Sequence, residues 1–285
     1  MAGVLDRLAQ RVGLRPDRRA GEASADGRLV YAVGDIHGRY DLLKILLAMI
    51  AGDDAGRARE GPPVLVFCGD YIDRGPRAFE VLEALLWLRR NAGYDLHLLK
   101  GNHEQALLDF LEAPTGGGLW LRHGGGETLA SYGVAAPPPE AEAAALVRVR
   151  DELLARLPAS HLRLLQTLEL MVTVGDYAFV HAGVRPGTAL ADQREDDLLW
   201  IREDFVRAPG PFEKIIVHGH SWVSDRPQVL PHRVGIDTGA YATGILSAVR
   251  IEDGALGVLQ ADAAGHVAWN PWSIPDPPPP PVTRP

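Results

Sequence analysis

Two short valine-rich runs, residues 29–33 and 64–68, each stop at a Gly-Asp pair, Gly34-Asp35 and Gly69-Asp70. Continuous apolar runs of this length suit strands buried on both faces, and a polar pair at the end of each suits a loop that carries chemistry. A third run, residues 95–99, ends before Gly101. Between the runs, residues 40–50 and 77–90 carry leucines three and four apart, the helical period. The pattern reads β-α-β-α-β. Open α/β sheets place ligands outside the carboxyl ends of their strands, where these motifs fall.

Beyond this unit, residues 104–168 read mainly helical, interrupted by glycines at 116–118 and 124–126 and prolines at 137–139, which predicts a helical cap insertion. Strand character returns at 170–174, 177–180, 215–217, 233–236, 245–251 and 257–261. These later strands are expected to form a second sheet packed on the first. The fold class is therefore α/β, two mixed β-sheets stacked as a sandwich and flanked by helices. At 285 residues and 46% hydrophobic content, one domain can bury a sizeable core. The expected division is an N-terminal arm and linker over 1–27, the domain over 28–274 and a proline-rich tail over 275–285.

A net charge of -8 argues against sequence-independent nucleic-acid binding, which needs a clustered basic surface. Cys68 is the one cysteine, so no intramolecular disulfide can form. It reads as a small buried residue. Arginines interrupt the first twenty residues and no long apolar run occurs, so the expectation is a cytoplasmic chain without stable membrane insertion. Residues 3–12 have amphipathic spacing and read as a surface-packed arm.

Five motifs follow one another: Gly34-Asp35-Ile36-His37-Gly38, Gly69-Asp70-Tyr71-Ile72-Asp73-Arg74-Gly75, Gly101-Asn102-His103-Glu104, His181-Ala182-Gly183 and His218-Gly219-His220. A single strand-end Asp or His usually caps a turn. Five in this order supply mixed oxygen and imidazole donors, which suit Mn, Fe or Zn better than Ca or an all-sulfur site.

On these motifs the chain resembles the PPP-type serine/threonine phosphatases, within the calcineurin-like metallophosphoesterases, over about residues 28–257. The resemblance implies two divalent metal ions, Mn foremost in vitro with Fe or Zn possible. It implies Asp35 and His37 on one ion, Asp70 bridging, and Asn102, His181 and His220 on the other. His220 is chosen over His218 because the family ligand resembles the histidine of Gly219-His220-Ser221. A hydroxide bridging the ions would attack phosphorus in line. Arg74 and Arg202 match the family's phosphate-gripping arginines, and His103 its general acid, oriented by Asp73. Lys100 is an optional further phosphate contact. His123 and the neighbouring glycines read as a flexible cap loop, and Asp237 through Tyr241 as a turn near the cleft.

Asp73-Arg74-Gly75 and Gly101 through Glu104 resemble phosphoprotein phosphatases; the symmetrical dinucleoside tetraphosphatases usually differ at that Asp and at that Glu. The expected substrate is thus a phosphoprotein or phosphopeptide, with tetraphosphatase or small-molecule phosphoesterase activity as the alternative. A phosphodiesterase and an inactive scaffold are weaker readings. The five prolines at 277–281 could serve an SH3-like partner.

Overall fold

The structure is a computed structural model that describes residues 23–272 apart from 56, 58–60, 139, 140, 253 and 266. The expected arm helix at 3–12 and the proline tail lie outside the described residues.

Three parallel strands, β1 (Val30–Val33), β2 (Val64–Phe67) and β3 (Asp95–Leu98), alternate with helices α1 (Tyr40–Asp54), α2 (Ala78–Asn91) and α3 (Asn102–Glu112). Their register aligns Val33 with Phe67 and Phe67 with Leu98, so the three strands end level with one another. A second sheet has the order β4-β5-β6-β8-β7, with β4 at Met171–Val174, β5 at Tyr177–Val180, β6 at Ile215–His218, β7 at Gln228–Leu230 and β8 at Arg233–Gly235. Its three parallel strands also end level, Val180 beside His218 and His218 beside Gly235.

Side chains alternate across β1 and β2 with the period of two that a strand imposes. Val30, Ala32, Val64 and Val66 meet Phe179, Val217 and Val234 between the sheets. Tyr31, Val33, Leu65 and Phe67 face the other way, against Leu43, Leu46 and Leu85 of α1 and α2. Both faces are covered, which is why these strands read as unbroken apolar runs. The far face of the second sheet is sealed by Leu198 and Phe205 against Ala178, Val180 and Ile216.

The helical segment is as expected, with α3 followed by α4 (Gly126–Ser131), α5 (Ala143–Arg156) and α6 (Ala159–Gln166). It continues the main core, since Phe110, Leu129, Leu153 and Leu165 join the same apolar cluster as α1 and α2. His161 ties its helices together, meeting the Tyr132 hydroxyl at 2.7 Å and Glu83 of α2 at 2.7 Å.

Three expectations are corrected. The late strands β9 (Ile245–Glu252) and β10 (Ala255–Asp262), with β11 (Val267–Trp272), belong to the first sheet and not the second. β9 pairs antiparallel with β1, placing Val249 and Ile251 between the sheets. β7 and β11 were not anticipated: one has three residues, and the other contains Pro271, which weakens any strand signal. Finally, Ala23 through Gly27 is not linker. Ala23 and Ala25 are buried, and Ser24 N donates to Asp176 Oδ2 at 2.9 Å, fastening this segment to the β4–β5 turn. No helix among the described residues is long and apolar enough to cross a membrane.

Phe179 is fully buried between the sheets whereas Trp87 on α2 is 61% exposed. Phe179→Ala should therefore cost about 3–5 kcal/mol in denaturant unfolding, and Trp87→Ala less than about 0.5 kcal/mol.

Candidate metal centre

Six parallel strand ends, three from each sheet, open at one edge. The residues that follow them are Asp35 after β1, Asp70 after β2, Asn102 after β3, His181 after β5, His220 after β6 and Asp237 after β8. All are buried. Of the six non-glycine residues with positive φ among those described, five are here: His37 (45°), Asp70 (52°), Asp73 (68°), Arg74 (64°) and His220 (61°). Each such residue costs on the order of 1 kcal/mol or more and persists only where its surroundings over-determine it. Glycines make the crowding possible. A Cβ on Gly101 would stand 2.1 Å from Asp70 Oδ1, and one on Gly219 would stand 2.0 Å from Asp35 Oδ1.

Asp70 occupies the middle. Its carboxylate lies 3.5 Å from His37 Nε2, 3.5 Å from His181 Nε2 and 3.9 Å from His103 Nε2. Two groups suited to a metal ion share it: His37, Asp70 and His103, and Asp70, His181 and His220, with donor atoms within 4.8 Å in each. Tautomers follow from the partners, because a carbonyl can only accept. His37 Nδ1 donates to Ile72 O at 2.9 Å and His181 Nδ1 to Cys68 O at 2.7 Å, so both Nε2 lone pairs face inward. His181 Nε2 then meets Asn102 Oδ1 at 2.9 Å, acceptor against acceptor. Asp35 Oδ1 and His220 Nε2 are buried without any hydrogen-bond partner among the described residues. Facing acceptors and orphaned buried acceptors are what a cation satisfies, and the residues are arranged for metal binding.

The electrostatics agree. Burial lowers His37 to about 3 and His220 to about 2, and it lowers His181 too, which leaves neutral imidazoles with lone pairs to give. Burial pushes Asp70 upward, yet the surrounding imidazoles of His181, His103, His37 and His220 outweigh it and hold that carboxyl below its ordinary range. Asp35 is raised by burial and by the charges of Asp237 and Asp70, and burial raises Asp237 to about 6. Asp35 lies outside both donor groups here; its Oδ2 accepts from His220 N at 3.0 Å.

Beside the centre, His103 Nδ1 donates to Asp73 Oδ2 at 2.7 Å. The Arg74 guanidinium meets His103 Nε2 at 3.0 Å and His37 Nε2 at 3.1 Å. Arg202 is exposed, and its charge reaches His181 and His220, disfavouring their protonation. His218 points elsewhere, its ring 4.9 Å from Phe205 and 3.4 Å from Arg233 Nη1. Lys100 spends its charge on Gln105 and Glu195, at 2.9 and 3.0 Å. His123 is exposed and in neither donor group.

Sequence reasoning passed over four contributors. Glu104 accepts from the amides of Asp70, Tyr71 and Gly101 at 2.8–2.9 Å, fixing the loop after β2; its place in the first turn of α3 was the available signal. Tyr241, read as part of a turn, lies 4.7 Å beneath the Arg74 guanidinium and 5.3 Å from the His37 ring. Trp120 Nε1 and Thr128 Oγ1 donate to Asp73 at 2.9 and 2.5 Å. They flank the glycine loop read as flexible, which is instead packed against the site, Gly124 O accepting from Arg74 N at 3.1 Å.

A family model described as calcineurin-like phosphoesterase matches residues 29–238. The chain is 31% identical to serine/threonine-protein phosphatase 1 of Salmonella typhimurium, covering 79% of this chain and 93% of that protein. It is 29% identical to a symmetrical bis(5'-nucleosyl)-tetraphosphatase of Methylococcus capsulatus, covering 89% and 78%. Among solved structures, a mutant cold-active protein tyrosine phosphatase superposes with a TM-score of 0.56 at 21% identity, covering 85% of this chain and 80% of that one, a likeness of fold.

His220→Ala should weaken divalent-metal retention about 10- to 100-fold or more, whereas His218→Ala should keep the metal content of the wild type. Elemental analysis after dialysis against a graded chelator checks both.

Proposed function

The chain belongs to the calcineurin-like phosphoesterase family, a hydrolase fold, and from that premise we propose that it removes phosphate from phosphoserine and phosphothreonine in proteins. In this reading Asp35 and His37 would hold one divalent ion, Asn102, His181 and His220 would hold the other, and Asp70 would serve both. Manganese is the proposed ion, with iron and zinc suited to the same donors. Bound in this way, the ions supply charge against the phosphoryl oxygens and a water acid enough to attack near neutral pH.

The observation that carries the reading is the His103–Asp73 pair at 2.7 Å beside Arg74. A seryl or threonyl oxygen leaves as a poor anion and needs a proton in the transition state, so a positioned imidazole is worth about 10²–10⁴ in rate. A nucleoside polyphosphate leaves as a stable anion and gains less from such a donor. Asp73 holds the imidazole through Nδ1, which leaves Nε2 facing the Arg74 guanidinium, where a phosphate would be gripped. Arg74, presented on a left-handed backbone and backed by the Tyr241 ring, offers a planar fork to two phosphoryl oxygens. Arg202, exposed in the connection between β5 and β6, is the second phosphate contact in this reading.

Dinucleoside tetraphosphate hydrolysis is the second reading. It is favoured by the Methylococcus relative, which covers more of this chain than the Salmonella phosphatase does.

The metal-stripped chain should regain turnover of a phosphothreonine peptide with Mn and prefer it to diadenosine tetraphosphate. A reversed preference assigns the tetraphosphatase activity instead. His103→Asn should retain its metal and slow the peptide reaction by roughly two to four orders of magnitude.

A further inference from the structure

We propose that Trp120 and Thr128 are positioning residues for His103, acting through Asp73, which makes the segment from the turn after α3 into α4 part of the catalytic apparatus. The inference rests on the phosphomonoesterase reading above. Its basis is the number of bonds that converge on one loop residue. Asp73 Oδ2 accepts from both His103 Nδ1 at 2.7 Å and Trp120 Nε1 at 2.9 Å, and Asp73 Oδ1 accepts from Thr128 Oγ1 at 2.5 Å. The same Thr128 oxygen accepts from Asp73 N at 2.9 Å, so one hydroxyl fixes both the backbone and the carboxylate. One residue further on, Arg74 N donates to Gly124 O at 3.1 Å.

Asp73 and Arg74 are consecutive left-handed residues, a conformation that side chains rarely adopt and that needs outside support. Both amides that this conformation leaves to be satisfied are taken by the inserted segment. The fit is close. A Cβ on Gly124 would lie 2.6 Å from Arg74 N, and one on Gly125 would lie 2.5 Å from the Trp120 ring. Phe110 of α3 backs the indole at 4.8 Å. Asp73, Trp120 and Thr128 are all buried, so water cannot replace a lost donor.

With three donors in place the carboxylate cannot rotate, and the imidazole it holds cannot either. Without Thr128 the carboxylate is free to turn, and His103 loses its aim more than its presence. The loss should therefore fall on the proton-transfer step and grow as the leaving group becomes poorer.

The test uses the full chain loaded with Mn, as wild type, Thr128→Ala, Thr128→Ser and Trp120→Phe, with p-nitrophenyl phosphate and phenyl phosphate as substrates. Thr128→Ala should lose kcat on phenyl phosphate about tenfold more than on p-nitrophenyl phosphate, at similar KM and metal content, and Thr128→Ser should restore it. Trp120→Phe should show the same pattern more weakly. Equal losses on both esters, or a loss that follows metal content, overturn the proposal. The His103 Nδ1 proton in a ¹⁵N-histidine-labelled chain loaded with diamagnetic zinc in place of Mn gives an independent readout. It should be sharp in wild type and Thr128→Ser and exchange-broadened in Thr128→Ala; an unchanged signal overturns the clamp. Wild-type protein that turns over neither ester overturns the phosphomonoesterase reading, and the imidazole proton then still decides on the clamp.

Discussion

Five carboxylates, Asp35, Asp70, Asp73, Glu104 and Asp237, are buried around one crevice, and the rest of the structure follows from how their charge is met. At an effective dielectric near 20, two like charges at 4 Å repel by about 4 kcal/mol, close to the whole net stability of a domain, about 5–15 kcal/mol. The chain answers each carboxylate differently. Glu104 is ringed by backbone amides, and Asp73 is bonded by a ring N–H, an indole and a hydroxyl. Asp35 and Asp237 are both raised, by burial first and then by the charge of neighbouring carboxylates. Asp70 is left among imidazoles, two of which, His37 and His181, commit their outer nitrogens to carbonyls. His103 N donates to Asp70 Oδ1 at 3.1 Å, and a cation would complete the arrangement.

The fold is the means of assembling this charge. Two sheets whose parallel strands end level place six loops at one edge, and the apolar layer between them fixes the sheets against each other. Short turns then carry the donors inward. They do so with left-handed residues at His37, Asp70, Asp73, Arg74 and His220, and with glycines where any side chain would strike a carboxylate. The stability of the sandwich supports this local strain.

Much of this was legible in the sequence because it was local. The Gly-Asp pairs ended apolar runs, the leucine spacing gave α1 and α2, and each motif stood directly after its strand. What escaped was long-range. β9 carries the same apolar pattern whichever sheet it joins, and only the open edge of β1 decides. Trp120 and Thr128 lie 47 and 55 residues from Asp73, with a glycine run between them that reads as slack until Arg74 is seen packed against it. Tyr241 likewise acts through a ring contact to Arg74 that no spacing rule encodes.

The central claim is that Asp70 is shared between two cations, and it can be tested without turnover. Electron paramagnetic resonance during titration of the chelator-treated chain with Mn reads both stoichiometry and proximity. The account predicts two equivalents bound per chain, with an exchange-coupled signal replacing the mononuclear one and lost in Asp70→Asn. A single equivalent, or two that remain magnetically independent, would contradict it.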